Sequence, residues 1–330
     1  MTVLRVVFMG TPEFAVPSLQ ALLADDAIEV LAVFSQPDRP SGRGQKLTPP
    51  PVKALALAHH LPVYQPVKLR KEPDMLEALA GFAPDFLVTA AFGQILSQPV
   101  LDIPKYGTVN VHASLLPKYR GANPVQWSIL NGDAETGVTT MLTELDVDTG
   151  PMLRRITVPI DPMDSAVELV EKLSQAGASI LAGSLKDMAS GALQPEAQDH
   201  AAATHARKLE KTDAPIDWTQ AAPVLHNKIR GQQPWPGTCS SFAGQLIKFH
   251  QSLPPGHLAY DQVQGQAPRP GQIIGLVETG VAVQTGQGPL IVTQLQPPGK
   301  PRMAARDWAN GALRDGAEPV FVSSVEPVLP

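Results

Sequence analysis

Apolar residues in the first half of the chain fall into short blocks that alternate between two periods. Leu4–Met9 is an almost continuous apolar run of strand length. Pro12–Leu23 then sets Phe14, Val16, Leu19, Leu22 and Leu23 along one side of a helix. The alternation continues with a strand at Ile28–Phe34, a helix at Val52–His59, a short strand at Leu61–Tyr64 and a helix at Met75–Phe82. Strands at Phe86–Ala90 and Thr108–His112 follow, and a helix at Pro124–Leu130. Such alternation predicts an α/β domain, a parallel sheet covered by helices, with ligands gathering beyond the carboxyl ends of the strands. His112 lies at one such end.

Two further strands, Gly137–Leu142 and Met152–Val158, are joined by the acidic turn Asp146–Gly150. A long helix over Ser165–Met188 opens with an N-cap at Asp164 or Ser165. A polar stretch bearing Gly, Pro and Gln follows and reads as a linker. Beyond Lys211 helical periodicity survives only around Ala221–Ile229. Short strand-like runs take over at Cys239–Phe242, Leu246–Gln251, Gln272–Leu276, Gly280–Gln284 and Leu290–Leu295, which suggests a small β-barrel, of which the OB-fold is one type. The expected division is a catalytic domain over 1–189, a linker over 190–211 and a barrel domain over 212–330.

The length of 330 residues suits two domains. A single cysteine, Cys239, excludes an internal disulfide and any multi-cysteine metal or iron–sulfur site, and a reducing compartment fits best. The amino terminus enters a strand-like run without a leader pattern, and no stretch reaches the roughly 18 apolar residues of a membrane span. A cytoplasmic protein, a monomer without membrane attachment, is expected. The net charge of −5 argues against a nucleic-acid partner, but it is unevenly spread. Residues 1–200 hold 15 basic and 22 acidic side chains, whereas residues 201–330 hold 11 and 9, which leaves the second part mildly basic.

The chemistry concentrates at Gly107–Pro124. Asn110 and His112 lie two apart on a strand, so both point to one face, and the run then breaks at Ser114-Leu115-Leu116-Pro117 before Arg120-Gly121. A carboxamide beside an imidazole at a strand end suits a polarised carbonyl and a moving proton, although a lone buried histidine is often only bonded to backbone. Asp148, in Asp-Thr-Gly, is either an Asx-turn aspartate or the carboxylate that orients His112. The first strand ends Met9-Gly-Thr-Pro-Glu13 without G-x-G-x-x-G, which removes nicotinamide and flavin cofactors. G-x-x-x-x-G-K-[ST] and G-x-S-x-G are also missing, and no histidine shows metal-ligand spacing. Cys239 reads as a structural thiol. The 17-residue loop Ser35–Pro51 carries Arg39, Arg43 and Lys46 among glycines and prolines, a composition suited to phosphate contact or to a solvated insertion.

Asn110-x-His112, Ser114-Leu-Leu-Pro-x-x-Arg-Gly121 and Asp148-Thr-Gly150 together resemble the folate-dependent formyltransferases. Phe8-Met-Gly-Thr-Pro-Glu-Phe-Ala15, the loop Gln36–Lys46 and Gln233-Pro-Trp-Pro-Gly237 look like the branch of that family acting on initiator methionyl-tRNA. The resemblance covers nearly the whole chain. It implies a Rossmann-like formyltransferase domain with a mostly parallel sheet, an OB-like barrel, 10-formyltetrahydrofolate as formyl donor and initiator methionyl-tRNA as acceptor, without metal. By resemblance Asn110, His112 and Asp148 are catalytic. Ser114, Leu115, Leu116 and Pro117 contact the folate, and Phe92, Gly93, Ile95 and Leu96 line the pterin pocket. Arg43 falls on the family's loop arginine that approaches the acceptor end of the tRNA; Arg39 and Lys46 are read as tRNA contacts of the same basic loop, and Lys208 and Lys211, with Lys228, Arg230 and Lys248, as non-specific charge. A family member acting on an amino-sugar nucleotide is the alternative, and it would not need the basic loop. Asp146, Asn123 and Trp127 depart from the family's usual residues at the rim.

Overall fold

The computed structural model describes residues 3–41, 46–313 and 318–323, and these form two compact units. The first comprises residues up to 124, 135–159 and 170–206. Its elements begin with β1 (Leu4–Gly10), α1 (Val16–Leu23), β2 (Ile28–Phe34), β3 (Arg39–Ser41), β4 (Lys46–Thr48), α2 (Pro51–Ala58), β5 (Val63–Tyr64), α3 (Pro73–Gly81) and β6 (Phe86–Ala90). They continue through α4 (Gln98–Leu101), β7 (Thr108–His112), β8 (Arg120–Gly121), β9 (Glu135–Leu142), β10 (Met152–Pro159) and β11 (His205–Ala206), whereas α5 (Pro124–Leu130) falls in the second unit beyond Pro124 and α6 (Ala166–Ser190) belongs to it as far as Leu169.

Seven strands form one sheet in the order β10-β9-β7-β6-β1-β2-β5. The pairs from β7 through β5 are parallel, and β9 and β10 add antiparallel strands at one side. Every residue of β6 is buried, as expected for a central strand covered on both faces. On one side of the sheet Val7, Met9, Ala32, Phe34 and Leu87 pack with Leu69, Leu79, Phe92, Leu96 and Val100. Within the loop expected at Ser35–Pro51, β3 pairs antiparallel with β4 as the two arms of a hairpin. Arg43 lies outside the described residues. The stretch expected as a linker is tied into this unit: Glu196 bridges to Met152, and β11 pairs in parallel with β8.

The second unit comprises residues 125–134, 160–169 and 207 onward. Ser165 starts α6: its hydroxyl accepts from Val167 N at 3.2 Å, and Glu168 Oε2 accepts from Ser165 N at 2.9 Å, so two amides at the helix start are satisfied by side chains. Then come α7 (Ala222–Gly231), β12 (Thr238–Phe242), β13 (Gln245–Ser252), β14 (Ile273–Val277), β15 (Gly280–Gln284), β16 (Pro289–Gln296), β17 (Met303–Ala304), α8 (Ala305–Ala312) and β18 (Phe321–Val322). The antiparallel order β14-β15-β16-β13-β12-β18, with β17 on β16, is closed by a bridge between Gln272 and Val320. The helix α8 was not expected. Its Trp308 packs edge-on to Phe242 at 4.9 Å and becomes part of the barrel core.

His226 on α7 is buried, with Nε2 2.8 Å from Pro162 O and Nδ1 2.9 Å from Ser252 Oγ. A carbonyl oxygen only accepts, so Nε2 carries the proton and the neutral ring accepts from Ser252. Burial is the main cause that lowers its pKa below 6.5, and Arg230 adds to the effect. The unfolded chain therefore binds the extra proton first as pH falls. The stability this histidine supports is intact above about pH 6.5 and is lost as pH drops toward the lowered folded value. Thermal denaturation should show a melting temperature that declines below pH 6.5, and a smaller decline in His226→Gln. An equal decline in the two proteins would assign the acid sensitivity to other groups.

Candidate active site

Thr108, Asn110 and His112 occupy alternate positions of β7 and share a face, while Val109 and Val111 turn into the opposite side of the sheet. Pairing with β6 sets Asn110 opposite Thr89, whose hydroxyl donates to Asn110 Oδ1 at 2.9 Å. That bond fixes the carboxamide with its oxygen spent and its Nδ2 hydrogens available to donate. His112 is buried, with Nε2 3.0 Å from the carbonyl of Tyr119. Its Nδ1 stands 3.6 Å from Asp148 Oδ2, longer than a hydrogen bond.

Asp148 sits in the turn between β9 and β10 with φ +54°. Its Oδ2 accepts from Gly121 N at 2.8 Å. Gly121 itself has φ +113°, and a Cβ there would stand 2.7 Å from Ala206 O, so only glycine lets β8 approach β11 and present that N–H. The backbone of the aspartate turn is held as well. Gln198 Nε2 donates to Asp148 O at 2.9 Å and to Gly150 O at 2.7 Å. Gln198 Oε1 in turn accepts from Nε and Nη2 of the buried Arg120, and Arg120 Nη2 also reaches His200 Nδ1 at 3.1 Å.

The Ser114–Pro117 stretch closes over Thr139: Thr139 Oγ1 donates to Ser114 O at 2.7 Å and accepts from Leu116 N at 3.1 Å. Ser114 Oγ donates to Lys118 O, Leu116 is buried beside Met141 and Met152, and Leu115 and Pro117 are half-buried. A cleft of about 380 Å³ lies beside the aspartate turn, lined by Gln98, Leu101, Thr143, Glu144, Leu145 and Asp146. Thr143 Oγ1 is buried there without a partner among the described residues.

The other site residues named from the sequence are distributed differently. Phe92 and Leu96 are buried in the sheet core. Gly93 and Ile95 are exposed, Ile95 at 65%. What this loop presents is backbone, and Phe92 O accepts from Thr11 Oγ1 and Gln36 Nε2. In the hairpin, Arg39 and Lys46 are exposed. Its root is locked by Asp38, which Lys53 contacts through both oxygens at 2.8 Å and Gln65 at 2.8 Å. These partners hold the carboxyl below the usual carboxylate range.

Lys208, Lys211 and Lys248 are exposed in the second unit. Arg230 is not available as surface charge: it is buried on the carbonyls of Asp161 and Asp164. Lys228 is spent on Asp213 O. Trp127 donates to Arg207 O at 2.8 Å and lies under the Arg207 guanidinium at 5.2 Å. Asp146 is exposed on the cleft wall, and Asn123 is half-buried. Cys239 is buried and its thiol pKa is raised, chiefly by burial, in keeping with an inert side chain. Among the described residues no group of His, Cys, Asp and Glu is placed to hold a metal ion, and no helix is long and apolar enough to cross a membrane.

A carboxamide and an imidazole lie together at the end of a parallel strand, with a carboxylate held across the turn. The chain belongs to the formyl transferase family: the formyl transferase profile matches residues 4–185, and the profile of the formyl transferase C-terminal domain matches residues 208–313. Within that family it is 47% identical over 311 residues to the methionyl-tRNA formyltransferase of Trichlorobacter lovleyi, covering 94% of this chain and 95% of that one. To the methionyl-tRNA formyltransferase of Geobacter sulfurreducens it is 43% identical over 324 residues, covering 98% and 99%.

Solved structures share the fold at low identity. The N-formyltransferase from Helicobacter canadensis, solved with folinic acid and dTDP-3-aminofucose, superposes with TM-score 0.64 at 19% identity, covering 90% of this chain and all of that one. HypX from Aquifex aeolicus in complex with tetrahydrofolic acid gives 0.63 at 16%, covering all of this chain and half of that one.

Proposed function

We propose that this enzyme transfers the formyl group of 10-formyltetrahydrofolate to the α-amino group of methionyl-initiator tRNA, with Asn110, His112 and Asp148 around the reacting carbonyl. The observation that carries this reading is the strand end itself: the free amide hydrogens of Asn110 beside His112, with Asp148 3.6 Å behind the ring. Methionyl-tRNA formyltransferases that match over nearly the full length, among them those of Trichlorobacter lovleyi and Geobacter sulfurreducens, support the choice of acceptor.

The methionine amine must be neutral to attack. A free α-amine has a pKa of about 7.7–8.0 and esterification lowers it, so little base strength is required. The nitrogen lone pair forms the new C–N bond while the carbonyl π pair moves to oxygen. Asn110 Nδ2–H and His112 Nε2–H donate to that oxygen, His112 exchanging the Tyr119 carbonyl for the substrate. The amine then gives up a proton, folate N10 takes one and departs with the C–N10 pair. Asp148 holds His112 and steadies it through this proton traffic. We place the pterin in the cleft beside the aspartate turn, lined by Gln98, Leu101 and Asp146.

Acceptor choice tests the reading. With 10-formyltetrahydrofolate as donor, formyl should appear on charged initiator tRNA and not on deacylated tRNA or an amino-sugar nucleotide. Transfer to the sugar in preference to the tRNA would overturn it. The hairpin is assigned to the tRNA. Replacing Arg39, Arg43 and Lys46 together by alanine should raise KM for methionyl-tRNA and flatten its dependence on salt. The log–log slope should fall by up to about 0.7–0.9 for each phosphate that is no longer neutralised. Folate binding should stay unchanged, and equal weakening of both substrates would make the hairpin a structural element.

A further inference from the structure

We infer that Gln198 and Arg120 are positioning residues for catalysis, acting on Asp148 through its backbone; this rests on the role given to Asp148 above. Asp148 occupies a left-handed backbone conformation that a residue with a side chain adopts at some cost, so the turn needs outside support. Two groups supply it. Gly121 N–H fixes the carboxylate, and the Gln198 amide donates to the carbonyls of Asp148 and Gly150. Gln198 is 5% exposed, so bulk water does not compete for those carbonyls.

A glutamine amide can rotate by half a turn and present oxygen where nitrogen should be. Arg120 prevents this. Its Nε and Nη2 both converge on Gln198 Oε1, at 3.1 and 2.7 Å, so the oxygen is claimed by two charged donors and the NH₂ must face the turn. Arg120 is buried at 5% exposure, and its guanidinium bonds to the Gln198 carboxamide and the His200 ring. A guanidinium is costly to bury for packing alone. Here its chain neighbour Gly121 donates to the Asp148 carboxylate, so one dipeptide governs both ends of the aspartate: the side chain directly and the backbone through Gln198. The distance that this arrangement sets is the 3.6 Å between His112 Nδ1 and Asp148 Oδ2.

The test is a double-mutant cycle on Gln198 and Asp148, read by single-turnover formyl transfer across pH. Gln198→Glu keeps an acceptor for Arg120 and removes the two donors to the turn. Gln198→Met removes both functions and serves if the first variant does not fold. The expected result is a fall in kcat of about 10–100-fold, the range for small misplacements of a reacting group. KM for both substrates should stay within about threefold, and the pH profile should shift. Adding the Gln198 change to Asp148→Ala should cost little more than Asp148→Ala alone. A kcat loss that multiplies that of Asp148→Ala, or a lower melting temperature with unchanged kcat and pH profile, would overturn the positioning role. Full activity in Asp148→Ala itself would instead remove the role of the aspartate, and so separates the two failures.

Discussion

Single-turnover formyl transfer by Asn110→Ala or His112→Ala is expected to be slower than wild type by about 10²–10³-fold, the usual cost of removing one donor to a developing oxyanion. The two variants should differ in character. Asn110 already has its oxygen engaged by Thr89, so its truncation deletes a donor held ready by the sheet register. Its loss should fall on kcat, with KM for folate little changed. His112 is buried with Nε2 bonded to Tyr119 O, so its truncation removes that bond and opens a gap inside the site. A measurable loss of stability should accompany the loss of rate. Acid-quench measurement with enzyme in excess reports the chemical step directly, and rates within a few-fold of wild type in either variant would remove that residue from the mechanism.

Trp218→Ala should destabilise the second unit by about 3–5 kcal/mol, the range for deleting a fully buried large aromatic. Trp218 is 1% exposed and packs against Phe249 and Phe321, each at 5.6 Å between ring centroids. Its Nε1 donates to Ser240 Oγ at 3.0 Å, and Ser240 passes a bond to Val322 O. The substitution therefore opens a cavity and also loosens β18 from β12, at the strand that helps close the barrel. Denaturant unfolding should show a lower midpoint for the barrel. Catalysis with saturating substrates should persist at temperatures where the barrel stays folded. A shift below about 1 kcal/mol would mean that the aromatic cluster re-packs around the gap.

The parallel-sheet half was legible in the sequence because strand-length runs such as β1, β2 and β6 are mainly apolar and alternate with helical patterns. β6, β7 and α5 fall on the expected residues. The barrel was less legible. The helix α8 is eight residues long and contains Asn310 and Gly311, which hid it, although its buried residues Ala305, Trp308 and Ala309 do recur at helical spacing. At the site, the two-residue spacing of Asn110 and His112 was enough to set them on one face. Gln198 was invisible because it lies 78 residues from Arg120, in a stretch whose polarity reads as a linker. Phe92 and Leu96 show a different limit: position in a loop near the site says nothing of which way a side chain points, and these two point into the core. Arg230 likewise reads as surface charge on a helix, but its guanidinium is consumed by buried carbonyls.

The end of β7 is claimed to polarise the formyl carbonyl, and vibrational spectroscopy of that bond tests the claim most directly. Isotope-edited infrared difference spectra of enzyme with ¹³C-formyl-labelled 10-formyltetrahydrofolate should show the carbonyl stretch at lower wavenumber than in solution. Asn110→Ala and His112→Ala should each reverse part of the shift. A wild-type stretch at the solution value, or an undiminished shift in both variants, would contradict the assignment of these two residues to the formyl oxygen.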